Sequence, residues 1–204
     1  MAEERSIEHY FSKEPKSRHR INRIECILRG NSYGFFTDSS VFSKDRIDLG
    51  TKILIKHMQI KPADIVLDLG CGYGAIGIVA ASLAPNGRCY MTDINERAVE
   101  LSKRNLKLNK IKNAEAFQGD GFEPVDSIMF DVILTNPPIR AGRNIVLSFI
   151  KGANSHLKKN GLLYLVVQTK QGAKTIKELI EEVFGNAEYA SLKGGFRLIV
   201  AKKL

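Results

Sequence analysis

Short apolar runs alternate with longer amphipathic stretches from residue 61 onward. The short runs, rich in β-branched and aliphatic residues, predict buried strands, and apolar residues at three- and four-residue spacing predict helices. Strands that alternate with helices are typical of a parallel sheet, so the pattern predicts a doubly wound α/β fold with helices on both faces. The predicted strands span residues 64–70, 87–94, 114–120, 130–136 and 161–168, and the predicted helices span residues 74–84, 95–109 with Asn95 as N-cap, 142–159 and 171–184.

The two ends of the chain depart from this alternation. After the last helix, two strand-like runs within residues 187–204 flank Gly194 and Gly195, which predicts a closing hairpin. Residues 1–60 are less regular, with an aromatic stretch "YGFFTDSSVF" followed by a predicted helix from 48 to 58. We therefore expect residues 1–60 to be an N-terminal extension packed on a main domain at 61–204.

The composition narrows the class of protein. A chain of 204 residues with 44% hydrophobic residues suits one well-buried domain. Its longest strongly apolar run, "IGIVAASLA", is well below the roughly 20 residues that cross a bilayer, so we expect a cytoplasmic protein without membrane contact. Cys26, Cys71 and Cys89 are widely spaced, which argues against a disulfide framework or a zinc site and predicts reduced, mostly structural thiols.

The net charge of +9 is unevenly distributed. Residues 61–139 contain eight Lys or Arg against ten Asp or Glu, whereas residues 140–204 contain twelve against four. A basic surface is expected of a protein that contacts phosphate backbones, although solvated lysines on helix faces give the same count. The charge therefore favours nucleic acid as a partner.

A glycine-rich turn, "VLDLGCGYGAIG" at residues 66–77, follows the first predicted strand and opens the first predicted helix. Such a turn brings a ligand close to backbone amides at a helix start. Residues 72–77 match the dinucleotide fingerprint G-x-G-x-x-G, a weak signal when it stands alone. Because the strand runs into Gly70, this match is displaced by two residues into the helix, and Asp68 would lie poorly beside a pyrophosphate.

S-adenosylmethionine suits this turn better than NAD does. It has no phosphate, and its cationic ammonium and sulfonium groups can meet Asp68 directly or through water. Asp93, at the end of the second strand, can accept both hydroxyls of a ribose, a contact that would suit NAD equally. Asp120, at the end of the third strand, can accept the amine of an adenine ring, although Asp is also common where any strand meets a turn.

The run "VILTNPPIR" at residues 132–140 ends the fourth predicted strand with Asn136 and two prolines. Proline lacks the amide proton of a sheet ladder and favours extended geometry in the residue before it, so Asn136 and Pro137 are both expected to be extended. Two prolines often do no more than end a strand. At the carboxyl end of a central strand, where such sheets bind their ligands, they can also hold Asn136 rigidly.

Taken together, "LDLGCGYG", "TDIN", "GD" and "NPPI" resemble, in this order and spacing, a class I S-adenosylmethionine-dependent methyltransferase. The segments "FFTDSSVFSKDRIDLGTKILI", "NPPIRAG" and "GGFRLIVAKK" further resemble the methyltransferase small-domain family, which includes ribosomal RNA guanine-N2 methyltransferases. The chain is most similar to the short, single-domain archaeal members. The resemblance implies a Rossmann-like methyltransferase fold, with a seven-stranded, mostly parallel sheet whose last strand is antiparallel.

The same resemblance implies a site. The cofactor would be S-adenosyl-L-methionine, no metal would be required, and ribosomal RNA would be the partner. The implied cofactor contacts are Asp68, Gly70, Cys71, Gly72, Gly74, Asp93, Ile94, Asp120 and Asn136; the implied substrate contacts are Pro138, Ile139, Arg140 and Phe42; and the implied catalytic residues are Asn136 and Pro137.

The implied target is an exocyclic base amine, most readily guanine N2, whose lone pair is delocalised into the ring. The Asn136 side-chain oxygen and the Pro137 carbonyl can accept its two hydrogens and so aim the lone pair at the sulfonium methyl. Related amine methyltransferases usually have an aromatic residue after the second proline, where this chain has Ile139, so we expect another ring to stack on the base. The candidate rings are Phe36, Phe42, Phe11 and Tyr10, and the candidate phosphate contacts are Arg140, Arg143, Lys170, Lys174, Lys193 and Arg197.

Three other functions stay open at this point. A protein glutamine-amide N-methyltransferase also uses an Asn-Pro-Pro turn, but it normally has an aromatic residue after the prolines and gives no reason for the basic final third. A non-catalytic cofactor- or RNA-binding assembly factor is compatible with the same residues. An NAD oxidoreductase is disfavoured by the displaced fingerprint.

Overall fold

The computed structural model describes residues 21–38, 46–139 and 142–204. These residues form a seven-stranded sheet with helices on both faces and a two-stranded hairpin that precedes it. The strands are β1 Ile21–Leu28, β2 Asn31–Asp38, β3 Ile65–Leu69, β4 Arg88–Asp93, β5 Ala114–Gln118, β6 Phe130–Thr135, β7 Leu157–Gln168, β8 Glu188–Lys193 and β9 Phe196–Lys202. The helices are α1 Leu49–His57, α2 Ala75–Leu83, α3 Glu96–Leu108, α4 Arg143–His156 and α5 Ala173–Phe184.

The large sheet has the strand order β5-β4-β3-β6-β7-β9-β8. Strands β3 to β7 pair in parallel, and β9 runs antiparallel to both β7 and β8. The predicted doubly wound sheet with an antiparallel last strand is therefore confirmed. The chain builds β3, β4 and β5 outward and then returns to place β6 on the other side of β3. In open sheets of this kind, ligands bind at the carboxyl ends of the strands beside such a reversal.

Consecutive residues of the central strands are buried on opposite faces of the sheet. In β6, Val132 and Leu134 pack in one apolar cluster with helices α1, α2 and α3, and Ile133 packs in a second cluster with α4 and α5. Burial on both faces explains why this strand is almost continuously apolar. None of the helices in the three described ranges combines the length and apolar content that crossing a bilayer requires.

Strand β7 begins earlier than the sequence pattern predicts. Helix α4 ends at His156 rather than near residue 159, and Leu157 already pairs with Phe130 of β6. The pairing then shifts by several residues, so that Val132 faces Leu162, and Asn160 takes a positive φ of 68° beside Gly161. The sequence pattern places the start of β7 too late because of this irregularity. The two lysines and Asn160 that precede the main apolar run resemble the end of a helix, whereas the fully buried Leu157 anchors this segment to the sheet.

The hairpin formed by β1 and β2 lies in the part of the chain that the sequence pattern left irregular. Its two-residue turn, Arg29-Gly30, has positive φ at both positions, 49° and 82°, as a type I′ turn requires. Asn-Gly or Asp-Gly would have predicted this turn, whereas Arg at the first position does not. The guanidinium of Arg29 donates to the carbonyls of Met58 (2.7 Å) and Ile55 (3.3 Å), so the strained residue also caps the C-terminal end of α1.

Two asparagines one helical turn apart attach the hairpin to the main sheet. The side chain of Asn105 in α3 accepts from the Phe36 N–H (2.7 Å) and donates to the Phe36 carbonyl (2.9 Å) and the Tyr73 carbonyl (2.8 Å). The side chain of Asn109 bonds both backbone groups of Gly34 in the same manner, at 3.1 and 2.7 Å. The two side chains therefore cover the free edge of β2 as a third strand would.

Candidate active site

A cavity of about 550 Å³ lies at the carboxyl edge of the large sheet. This volume is in the range of pockets that hold a cofactor-sized ligand. Its walls come from the glycine loop after β3, the ends of β4, β6 and β7, the loop after β5, the start of α1 and the first turns of α4. The lining residues include Asp48, Thr51, Gly70, Cys71, Gly72, Tyr73, Asp93, Ile94, Asp120, Asn136, Pro137, Pro138, Ile139, Phe149, Gln168, Gln171 and Phe196.

The glycine loop is held by hydrogen bonds inside the protein. The N–H groups of Gly70 and Cys71 both donate to the Thr92 carbonyl at 2.9 Å, and the Gly72 N–H donates to Asp93 Oδ2 at 2.8 Å. These three amides are already used, so the loop offers a ligand a shaped surface rather than free amide hydrogens. Burial raises the pKa of the Cys71 thiol well above its ordinary value, so the thiol stays protonated.

Asp68 does not line the cavity. Its side chain is fully buried, Oδ2 accepts from the Gly77 N–H in the first turn of α2 (2.8 Å), and Oδ1 has no hydrogen-bond partner among the described residues. Burial raises the pKa of Asp68 to about 7; the Gly77 bond lowers it, and the nearby Asp93 charge raises it further. Gly74 is also absent from the lining and faces Met91 and Ser102, where a Cβ would lie 2.6 Å from the Met91 methyl. The predicted cofactor contacts of Asp68 and Gly74 stay predictions.

Asp93 and Ile94 lie in the cavity wall at the end of β4. The two carboxylate oxygens of Asp93 each accept one backbone N–H, Oδ2 from Gly72 and Oδ1 from Asn95 at 2.9 Å. Burial is the main cause that raises the pKa of Asp93, and these two bonds lower it. Because a carboxylate has about four acceptor sites, both oxygens keep capacity for a ligand hydroxyl.

Asp120 lies in the same wall after β5 and is exposed. Its backbone N–H donates to the Glu123 carboxylate at 3.3 Å, while its own carboxylate makes no hydrogen bond within the described ranges. The side chain is therefore free to meet a ligand without breaking an internal contact.

The Asn-Pro-Pro-Ile turn lines the cavity from Asn136 to Ile139. The Asn136 side-chain nitrogen donates to Asp48 Oδ2 (3.2 Å) and to Thr51 Oγ1 (3.1 Å), and Oδ1 has no partner in the described parts of the chain. The Pro137 carbonyl accepts from the Ile139 N–H at 2.9 Å, which occupies one of its two lone pairs. Of the two predicted acceptors, the Asn136 oxygen has no hydrogen-bond partner among the described residues, and the Pro137 carbonyl has one lone pair left for a ligand.

Three rings line the cavity that the sequence did not indicate: Tyr73, Phe149 and Phe196. Phe196 starts β9 and pairs with Gln168 at the end of β7, so only the antiparallel register brings it to the site. Of the predicted stacking residues, Phe36 does not line the cavity and instead packs beneath the Arg104 guanidinium, 4.7 Å from its ring centre. Phe42, Phe11, Tyr10 and the predicted contact Arg140 lie outside the described residues.

Asp48 and Thr51 also line the cavity, and the sequence did not single them out. The helix start at Asp48 was visible, but its carboxylate meets a residue 88 positions later. No local pattern encodes such a contact.

Two of the predicted phosphate contacts lie beside lining residues. Lys170 is exposed in the short turn between Gln168 and Gln171, and Arg143 begins α4. Lys174 forms only a long, exposed ion pair with Glu178 (3.9 Å). Lys170 and Arg143 stay predicted phosphate contacts next to the cavity lining in the sequence.

The sheet order, the glycine loop and the Asn-Pro-Pro turn at the carboxyl edge define a Rossmann-like methyltransferase fold. The family model described as Methyltransferase small domain matches residues 32–200, and the chain belongs to this family.

Similar proteins are found among curated sequences and solved structures. A Bacillus subtilis protein, YbxB, described as uncharacterized, is 41% identical over 199 residues, 97% of this chain and 99% of that protein. Ribosomal RNA small subunit methyltransferase C of Pseudomonas putida is 34% identical over 167 residues, 80% of this chain and 49% of the relative. The structure of a T. thermophilus 16S rRNA N2 methyltransferase in complex with AdoMet and guanosine matches with a TM-score of 0.81 and 25% identity, over 93% of this chain and 52% of that one. The chain thus spans about half the length of these rRNA methyltransferases.

Proposed function

We propose that this protein transfers a methyl group from S-adenosylmethionine to an exocyclic amine of an RNA base, with guanine N2 of small-subunit ribosomal RNA as the first target to test. The observation that carries the proposal is the Asn136 carboxamide, whose nitrogen donates to Asp48 and Thr51 while its oxygen, in the cavity wall, has no partner among the described residues. The family and the two rRNA methyltransferases described above support the same chemistry. An enzyme with this substrate would act in the cytoplasm.

The cavity fits the cofactor. Asp93 retains acceptor sites on both oxygens for a ribose diol, and Asp120 presents an unused carboxylate for an adenine amine. Apolar side chains, Ile94 and Phe149 among them, provide the walls that a purine ring needs. When bound, S-adenosylmethionine supplies an electrophilic methyl group on a sulfonium sulfur.

The role of the protein is to activate the exocyclic amine, which is a poor nucleophile. The lone pair of an exocyclic amine is delocalised, and two acceptors that take its two hydrogens favour a pyramidal nitrogen with a directed lone pair. Asn136 Oδ1 is one such acceptor, and the second lone pair of the Pro137 carbonyl is the other. The positive charge that develops on the nitrogen is stabilised by the same two oxygens.

Phe196 is the ring that would stack on the target base in place of an aromatic residue at position 139. It lines the cavity and packs against Gly50, where a Cβ would meet the ring at 2.8 Å. Asp48 in turn bonds Asn136, so the ring and the carboxamide border the same part of the cavity. Aromatic stacking of this kind holds a base taken out of its helix.

The test supplies labelled S-adenosylmethionine to RNA, DNA and protein fractions from the source cell, followed by identification of the modified nucleoside. We expect label in RNA as an N-methylated base, with a rate about 100-fold lower or more for Asn136→Ala. Label confined to protein would replace the RNA substrate by a protein amide. Tight binding of NAD without binding of S-adenosylhomocysteine would overturn the methyltransferase proposal itself.

A further inference from the structure

The start of helix α1 is built as a rigid acceptor. Asp48 is the N-cap, with Oδ1 accepting from the Gly50 N–H (2.7 Å) and Oδ2 from the Thr51 N–H (3.2 Å). Both oxygens are thus fixed by the helix backbone. The ring of Phe196 packs on Gly50 so closely that no side chain fits there, which holds this turn against the large sheet.

The acceptors at this helix start take both amide hydrogens of Asn136. Nδ2 lies 3.2 Å from Asp48 Oδ2 and 3.1 Å from Thr51 Oγ1. A carboxylate can only accept hydrogen bonds, so the nitrogen rather than the oxygen of the carboxamide must face Asp48. The hydrogen bonds to Asp48 and Thr51 therefore set the orientation of the Asn136 carboxamide and leave its Oδ1 to face the cavity.

This orientation matters because a carboxamide has two opposite ends. If Asn136 turned over, its N–H groups would face the N–H groups of a target amine, and the site would repel the substrate it is proposed to orient. A hydrogen bond to an anionic acceptor also polarises the amide, which strengthens the oxygen as an acceptor. The two hydrogen bonds at the start of α1 would therefore select the productive orientation of Asn136 and also strengthen its oxygen as an acceptor.

We propose that Asp48 and Thr51 are positioning residues that hold the Asn136 carboxamide with its oxygen toward the target amine. The proposal rests on the proposed function for its effect on catalysis, but the orientation itself is a property of the protein alone. It assigns the first turn of α1, which belongs to the N-terminal extension, to the catalytic machinery of the large sheet.

The main test compares Thr51→Val, which removes the hydroxyl and keeps the shape, with Thr51→Ser, which keeps the hydroxyl. We expect kcat to fall about tenfold in Thr51→Val, the effect of one hydrogen bond, with KM for S-adenosylmethionine unchanged within about twofold. Thr51→Ser should stay within about threefold of the unchanged protein. In an Asn136→Ala background, Thr51→Val should cost nothing further, because the group that it positions is gone.

Asp48→Asn extends the test, because Asn caps a helix as well as Asp does but carries no charge. We expect a fall in kcat at least as large as for Thr51→Val, because the introduced amide nitrogen would replace Oδ2, the oxygen that accepts from Asn136 Nδ2. Equal kcat for Thr51→Val and Thr51→Ser would overturn the proposal, as would an undiminished effect of Thr51→Val in the Asn136→Ala background.

A readout without substrate separates this proposal from the proposed function. The side-chain amide pair of Asn136 is assigned in ¹⁵N spectra as the pair that Asn136→Ala removes. We expect its hydrogens to exchange with solvent at least fivefold faster in Thr51→Val than in Thr51→Ser. If the protein methylates nothing but the exchange difference is present, the proposed function fails and the positioning stands; if exchange is equal, the positioning fails whatever the substrate.

Discussion

Replacing Asn105 with Ala would break the attachment of the β1–β2 hairpin to the large sheet. The side chain is fully buried and makes three hydrogen bonds, with the N–H and carbonyl of Phe36 and the carbonyl of Tyr73, at 2.7 to 2.9 Å. Alanine would remove these three hydrogen bonds, at about 1–3 kcal/mol for each bond whose backbone group water does not reach. Allowing for some water entry, we expect a loss of roughly 3–5 kcal/mol in the free energy of unfolding.

The matched control is Asn109→Ala. Its side chain also makes three bonds, with both backbone groups of Gly34 and the Asn105 carbonyl, but it is only half-buried, so water can replace the lost partners. Asn105 lies inside α3 and Asn109 is its C-cap, so the gain in helix propensity from Asn to Ala applies only at position 105, where it offsets a part of the loss. We expect a loss of about 1–2 kcal/mol for Asn109→Ala.

Urea denaturation followed by circular dichroism measures both losses. In thermal unfolding, each kcal/mol corresponds to about 2–4 °C for a protein of this size, so Asn105→Ala should melt roughly 10 °C lower and Asn109→Ala roughly 4 °C lower. Equal losses in the two variants, or less than about 1.5 kcal/mol for Asn105→Ala, would refute the reasoning that buried backbone groups of β2 depend on this side chain.

Three further predictions concern the site. Because burial raises the pKa of Asp68 from 3.8 to about 7, the folded protein holds a proton that the unfolded chain releases; the stability from this proton is full below pH 3.8 and is lost as pH rises through about 7. As pH rises from about 5 to about 8, the free energy of unfolding should therefore fall less for Asp68→Asn than for the unchanged protein. An equal fall in the two proteins would contradict the raised pKa of Asp68. Asp120→Ala should weaken S-adenosylhomocysteine binding about tenfold in calorimetry without lowering the melting temperature, since its exposed carboxylate makes no hydrogen bond within the described parts of the chain; unchanged affinity would remove it from the cofactor site. Lys170→Ala should make the logarithmic salt dependence of RNA affinity shallower by about 0.7, whereas Lys177→Ala, whose ammonium is paired with Glu181 at 3.0 Å, should not.

The centre of the large sheet could be predicted because its central strands are buried on both faces. A strand such as β6, with Val132 and Leu134 in one cluster and Ile133 in the other, has no solvent side and reads as an unbroken apolar run. Local chemistry also marks the helix starts: the predicted N-cap Asn95 accepts from the Arg97 N–H at 3.0 Å. These features depend on residues close in sequence, which is why they are visible there.

The features that the sequence did not reveal depend on residues far apart. The Arg29-Gly30 turn lacks the usual residue at its first position because Arg29 also caps α1, so one side chain serves two constraints. Phe196 reaches the cavity only through its pairing with Gln168. Glycine motifs and prolines locate the site, but the partners that complete it come from the register and packing of distant elements.

The position of α1 shows that the site does not follow the division between extension and main domain. Arg29 of the hairpin bonds the C-terminal end of α1, and Asp48 at its N-terminal end bonds Asn136 of the large sheet. A helix held at both ends has little freedom to shift along its axis, so the hairpin turn and the carboxamide of Asn136 are linked through one rigid element. The boundary expected near residue 60 therefore describes a change in the hydrophobic pattern of the sequence. The Asn136 carboxamide, the proposed acceptor, depends on residues from both sides of that boundary.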